Sequence, residues 1–270
     1  MKAPVTYVPP LAFALSLLLG ASAPLAAQRR RAPRDRGGTA LLLEVRAEAS
    51  RAASSVARTA EVIRGRCARL GVYCDVRPQA GDRANRLALR FSTALDAGRV
   101  REVLLAEGFE LRAVVSPPYP LPLLDYATRD EAAAEAKNDE DVFPLEGYDL
   151  RDAYVVTLRG PIITGDDLRN PVVMRAPRGT PGGGYVVDCR LRPAGAARLK
   201  AWTSANVGRY VAVVYNGRGL VALYVKAPVF YNVVVSGGFD RRQAEDAAAV
   251  LAGGNLPAPV EVLEEGTYNP

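Results

Sequence analysis

Asp166 and Asp167 lie side by side in the segment GPIITGDDL, and paired carboxylates are what acid and base hydrolysis uses. Adjacent residues do not face one another on a helical turn, so the pair cannot close on one substrate atom. Thr164 is placed to cap that turn, with both carboxylates near its positive end. Lys200 and Ser204 stand four apart, a spacing that some Ser–Lys hydrolases share in looser form, but no oxyanion loop neighbours them and they read as helix surface. Asp139, Glu140 and Asp141 lack the alternate spacing and the turn glycine of a calcium loop, and read as a solvated acidic connector. The chain has no histidine, which removes imidazole base chemistry and most zinc and copper sites. No glycine-rich phosphate loop is present either. The expectation is a protein with no catalytic set, no metal and no cofactor, and an enzyme is the least favoured class.

Three cysteines add little chemistry. In an exported protein Cys67 and Cys74 can pair, leaving Cys189 over. Cys67 also shares an apolar face with Val56, Ala60, Ile63 and Leu70, which is helix-core geometry. Both readings stand.

The elements that would carry these residues follow from patterning. With 49% apolar and 24% charged residues in 270, the chain can bury a core and is not disordered. A net charge of +6 permits attraction to acidic lipid head groups, but the arginines are scattered, which argues against nucleic acid. The apolar run from Leu11 to Ala27 is a signal peptide or an N-terminal anchor, covering 1–27, and a basic leader covers 28–39. Strands are expected at Ala40 to Val45, Val72 to Pro78, Arg86 to Phe91 and Phe109 to Val115, with helices at Ser50 to Leu70 and Asp96 to Gly108. Strand, helix, strand, strand, helix, strand is the order of a ferredoxin-like sandwich. A short solvated helix is expected within Arg129 to Asp141, and strands at Tyr154 to Leu158 and Tyr185 to Leu191. Pro193 to Ala205 reads as a helix with Ala194, Ala197, Ala201, Trp202 and Ala205 near one face. Asn216-Gly217 joins the apolar runs Tyr210 to Tyr215 and Leu220 to Val225 as a tight hairpin. Asp240 with Gln243 forms a capping box for a last helix that ends at Gly253-Gly254.

Three separated segments together resemble the first periplasmic domain of the SecD family of protein-export subunits. Asn206-Val207-Gly208-Arg209 leads into the hairpin, Gly238-Phe239 opens a helix, and Gly254-Asn255-Leu256-Pro257-Ala258-Pro259-Val260 forms the exit. Thr164-Gly165-Asp166-Asp167-Leu168 matches the family's turn after a strand. Ile63, Arg66, Leu70, Gly71, Val72, Gly81 and Asp82 match its opening half, where Cys67 replaces a usual valine and Phe91-Ser92-Thr93 replaces Leu-Pro-Gly.

The resemblance implies an α+β fold in which a ferredoxin-like base carries an inserted α+β head. The base takes 40–115 and 239–263, a linker 116–149, the head 150–238 and a tail 264–270. It implies structural roles for Gly71, Thr164, Gly165, Asp167, Asn206, Gly208, Gly217, Gly238, Pro257 and Pro259. The head's Tyr210, Tyr224, Phe230 and Tyr231 offer a surface for unfolded secretory polypeptides, and equally a core for the head itself. The partners implied are such chains, the Sec translocon or SecF-like membrane subunits, at a membrane-proximal periplasmic location. SecD proteins continue into a proton-driven membrane bundle, and this chain is expected to act without one. An envelope adaptor that kept the fold but lost the export role is the alternative.

Overall fold

The computed structural model describes residues 37–92, 95–115, 125–145, 153–179, 183–229 and 231–269. The expected signal, most of the basic leader, the proline-rich start of the linker and Phe230 lie outside the described residues. β1 (Gly38–Val45) buries Thr39, Leu41, Leu43 and Val45 and leaves the intervening residues half-buried, the period of two that a strand covered on one face requires. After a 3-10 turn at Ala49–Arg51, α1 (Ala52–Leu70) buries Val56, Ala60, Ile63 and Cys67 against that face. It stops at Gly71, whose φ of 72° is a left-handed cap that glycine adopts without steric cost. β2 (Cys74–Pro78) and β3 (Arg86–Ser92) pair as a hairpin. Asp96 caps α2 (Ala97–Leu105) by accepting from the Arg99 amide at 2.7 Å, and β4 (Phe109–Val114) follows.

The second half begins with α3 (Arg129–Glu135), β5 (Glu140–Leu145), β6 (Ala153–Thr164), β7 (Leu168–Arg175) and β8 (Tyr185–Leu191). It continues with α4 (Pro193–Ala205), β9 (Tyr210–Tyr215), β10 (Arg218–Tyr224), β11 (Asn232–Phe239), α5 (Arg241–Gly253) and β12 (Val260–Tyr268). Three sheets result. The first has the order β12-β1-β3-β2, the second is a closed barrel ordered β10-β5-β6-β4-β9, and the third is β11-β8-β7. The barrel's seam is the parallel pair Gly219 and Leu145. Asn216 and Gly217, at φ of 50° and 73°, make the tight β9–β10 turn.

α5 explains its own alanine content. Ala244, Ala247, Ala248 and Leu251 belong to the core shared by the barrel and the third sheet, while Ala249 and Val250 pack on Val103 and Ala106 at α2. A helix pressed from two sides has little room for larger side chains. At its end, a Cβ on Gly253 would stand 2.6 Å from Arg66 Cγ of α1.

Three expectations need correction. Phe109–Val114 does not lie beside β1; β12 takes that place, and β4 pairs with β6 and β9 in the barrel. The burial of β4 gives the reason: Phe109, Leu111 and Ala113 face one core and Val114 another, which suits a barrel strand, whereas β12 with Glu261, Glu264 and Glu265 suits an edge. The acidic connector is α3 followed by β5, in which Glu140 and Asp141 are the first strand residues. The alanine stripe of α4 is exposed at Ala194, Ala197, Ala201 and Ala205; Gly195, Leu199 and Thr203 form its buried face. Gly195 sits there because a Cβ would come within 2.6 Å of Asp167 Cβ.

Cys67 and Cys74 form a disulfide with Cα atoms 6.2 Å apart, joining the end of α1 to the start of β2. Cys67 is at the same time a core residue, so both sequence readings hold. Cys189 is a free, buried thiol on β8, pushed up to about 12 by burial and, to a lesser degree, by Asp188.

Candidate functional site

Strand β10 belongs to the barrel and β11 to the third sheet, and between them and α4 opens a cleft of about 400 Å³. Leu111 of β4, Leu199 of α4, Val213 of β9, Leu223 of β10, Val234 of β11 and, outside any strand, Val229 line it, so its wall is largely apolar. Leu223, Val229 and Val234 are also exposed to solvent at the rim, and Lys226 is the single Lys, Arg, Asp or Glu among the lining residues. Clustered exposed aliphatic side chains beside an apolar cleft are what a binding surface shows and an isolated exposed leucine does not.

The predicted aromatics distribute unevenly around this cleft. Tyr224 lines it, and its ring packs on Tyr210 across the β9–β10 ladder with centroids 5.6 Å apart. Both are half-buried, and Tyr210 packs against the barrel interior with Val155 and Ala212. Tyr231, at 81% exposure, directly precedes β11. Asn206 ends α4, donating from Nδ2 to the Trp202 carbonyl at 2.8 Å. Gly208, at φ of 88°, donates its amide to the Val225 carbonyl at the foot of the cleft. Gly238, at φ of 66°, lies in the irregularity that bends β11 toward α5.

The turn Thr164-Gly165-Asp166-Asp167 is a joint rather than a reaction centre. Thr164 accepts from the Asp166 amide, and the Thr164 amide donates to Asp167 Oδ2 at 3.0 Å. Asp167 also accepts from Arg198 of α4 at 2.5 Å, and Asp166 from Arg58 of α1 at 2.8 Å. Each carboxylate thus faces a different element. The exit of α5 meets the same turn: Asn255 Oδ1 accepts from the amides of Phe109 at 2.9 Å and Gly165 at 3.0 Å, and its Nδ2 donates to the Phe109 carbonyl at 3.0 Å. Gly108 and Gly165 approach so closely that a Cβ on either would stand 2.3 or 2.4 Å from Asn255 Oδ1. Sequence reading passed over Asn255; the glycines around it were the available signal.

A second cavity, of about 540 Å³, lies beside this joint, lined by Glu107, Arg112, Phe143, Asn255, Pro257 and Pro259. Arg112 is already occupied there, bonded to Glu110 and Asp141 with its guanidinium 4.8 Å above the Phe143 ring. Burial pushes the Asp141 carboxyl up, but the hydrogen bonds and charges of Arg112 and Arg159 hold it below the usual range. The Pro259 carbonyl accepts from the Arg46 amide and so ties the exit to the end of β1.

Arg66 of α1 is fully buried, and among the described residues its hydrogen bonds go to backbone carbonyls. Nη1 donates to the carbonyls of Val103, Leu104 and Ala106, and Nη2 to that of Gly254, at 2.6 to 3.2 Å. These are the orphan carbonyls at the C-terminal ends of α2 and α5, where the helix dipoles favour a cation. Burial lowers its pKa to about 10, with Tyr215 and Asp166 opposing.

Among the described residues no group of three or more Cys, Asp or Glu side chains is placed to hold a metal, and no helix is long and apolar enough to cross a membrane. Lys200 and Ser204 are both exposed. These features define a mixed α/β module built around an apolar cleft. Residues 140–258 match the family described as SecDF, P1 head subdomain. The chain is 28% identical over 221 residues to the protein translocase subunit SecD of Koribacter versatilis, covering 80% of this chain and 39% of that protein. It is 26% identical over 217 residues to SecD of Aquifex aeolicus, covering 80% of this chain and 40% of that one. The chain therefore spans about two fifths of the length of these relatives. Its fold is similar to that of SecDF in a super-membrane-facing form, with a TM-score of 0.62 at 20% identity over 90% of this chain and 32% of that one. A second SecDF structure, of a membrane component that enhances protein export, gives 0.59 at 20% identity over 83% of this chain and 98% of that one. The chain is a relative of the SecD (SecDF) protein-export subunits, in their first periplasmic domain.

Proposed function

We propose that this chain is an exported, non-enzymatic module that assists protein translocation by contacting extended polypeptides as they emerge from the translocon. The observation that carries the reading is the apolar cleft between β10, α4 and β11, whose lining residues other than Leu111 lie within the stretch that matches the P1 head subdomain. In this reading the sheet β12-β1-β3-β2 with α1 is a ferredoxin-like base, and β12 supplies the fourth strand of its order. The barrel and the third sheet form the head, and the Asn255 joint holds head and base in register. Tyr224 and Tyr231 add aromatic area beside the cleft, while Tyr210 supports Tyr224 from below. The place of action is the periplasmic face of the membrane, beside the Sec translocon or a SecF-like subunit.

Deleting the coding sequence tests this role. Pulse-labelled cells are expected to accumulate unprocessed precursors of several secreted proteins. Normal precursor processing in the deletion strain would contradict an export role and favour an envelope adaptor.

A further inference from the structure

β11 is an edge strand, and the side it turns away from β8 faces the cleft. The Leu191 amide donates to the Tyr231 carbonyl at 3.0 Å, and the pairs Val233 with Cys189 and Val235 with Val187 continue the same antiparallel register. Hydrogen-bonded pairs alternate along such a ladder. The amides and carbonyls of Asn232 and Val234 therefore point outward, and among the described residues they have no backbone partner. Asn232, Val233 and Val234 all line the cleft. An open strand edge beside an apolar trough is the arrangement that takes up an extended chain by strand addition, with alternate side chains dropping into the trough.

Charge narrows the occupant. Lys226, exposed where β10 ends, is the lone charged residue along an apolar lining, so a carboxylate at the end of an apolar segment is favoured there and an ammonium disfavoured. We infer that the cleft takes an extended segment of alternating apolar residues, flanked by an acidic residue, as an added strand on the outer edge of β11, with Lys226 meeting the carboxylate. This deepens the polypeptide-contact reading and rests on it.

Fluorescence anisotropy with the whole chain tests it. The probes are labelled nine-residue peptides with blocked termini and a core of alternating valine and threonine. One has aspartate at both ends, one has lysine at both ends, and one is the aspartate peptide methylated on alternate backbone nitrogens. The aspartate peptide is expected to bind about tenfold more tightly than either of the others, because each lost hydrogen bond or reversed charge forfeits roughly one such factor. Lys226→Glu is expected to invert the charge preference and leave the methylation penalty unchanged. Equal binding of the plain and methylated peptides would overturn strand addition while leaving the cleft a polypeptide site. Equal binding of the two charge types would overturn the role of Lys226. Binding of none of the three would overturn this inference, and the polypeptide-contact reading as well if an unfolded secretory precursor also failed to bind. Self-association of the chain, abolished by Val234→Lys and accompanied by no peptide binding, would assign the cleft to a second copy and overturn it too.

Discussion

Replacing Arg66 by Met is expected to lower the unfolding free energy by about 3–5 kcal/mol, read as a shift in the urea midpoint at unchanged slope. The substitution keeps much of the buried volume and removes the donors together with their charge. Four carbonyls, those of Val103, Leu104, Ala106 and Gly254, then lie at the ends of two helices without the guanidinium that bonds them. Each unpaired buried acceptor costs about 1–3 kcal/mol, and relaxation toward water recovers part of the sum. Arg66→Lys is expected to fall between, since one ammonium on a single stem cannot reach both helix ends as the fork does. The cation itself is held at a cost, as its lowered pKa shows, and the carbonyls offset that cost. A loss below about 1 kcal/mol for Arg66→Met would mean that water serves those carbonyls equally well.

The second large effect concerns the joint. Asn255→Ala removes the partner of two amides and one carbonyl, and is expected to cost about 2–4 kcal/mol. Gly108→Ala is expected to cost a similar amount for two reasons: its φ of 129° is unfavourable for an L-residue, and the new Cβ would stand 2.3 Å from Asn255 Oδ1. Because the two shortest approaches, to Oδ1 and Cγ, are relieved when the asparagine side chain is cut back to a methyl and only the 2.9 Å approach to its Cα remains, the double variant is expected to lose less than the sum of the singles. Strict additivity, to within about 0.5 kcal/mol, would show that the close approach does not hold the joint.

Local chemistry was the most legible part of this chain. The Asn216-Gly217 hairpin, the Gly71 stop of α1 and the Asp240 box of α5 each depend on two to four neighbouring residues, and each stands where patterning put it. β5 was hidden because its first residues, Glu140 and Asp141, read as solvated carboxylates, yet Arg112 and Arg159 neutralise Asp141 across the barrel. β7 was hidden by Asn170, at φ of 52°, and Pro171, which break its alternation at a bulge. The exchange of β4 for β12 in the first sheet could not be read from element order, since only the burial of both faces of β4 distinguishes a barrel strand from a sandwich edge. The alanines of α4 misled for a simpler reason: a methyl group carries too little area to decide which face is buried.

The candidate site divides in the same way. Aromatic residues are visible in sequence, which is how Tyr224 on the predicted hairpin and Tyr231 after it could be singled out; the structure sets Tyr224 in the cleft lining and Tyr231 exposed before β11. Leu111, Leu199 and Val234 come from three elements distant in the chain, β4, α4 and β11, and no linear spacing joins them. The same holds for the strand edge of β11, which becomes available only because β10 turns away to close the barrel.

The central claim is that the cleft between β10, α4 and β11 meets translocating polypeptide. A photo-reactive amino acid placed at Leu223 in living cells, with Glu61 on the exposed side of α1 as the comparison position, addresses it directly. The account predicts cross-links from position 223 to unprocessed or partly exported secretory proteins and none from position 61. Equal labelling at both positions, or no secretory chain captured at 223, would contradict it.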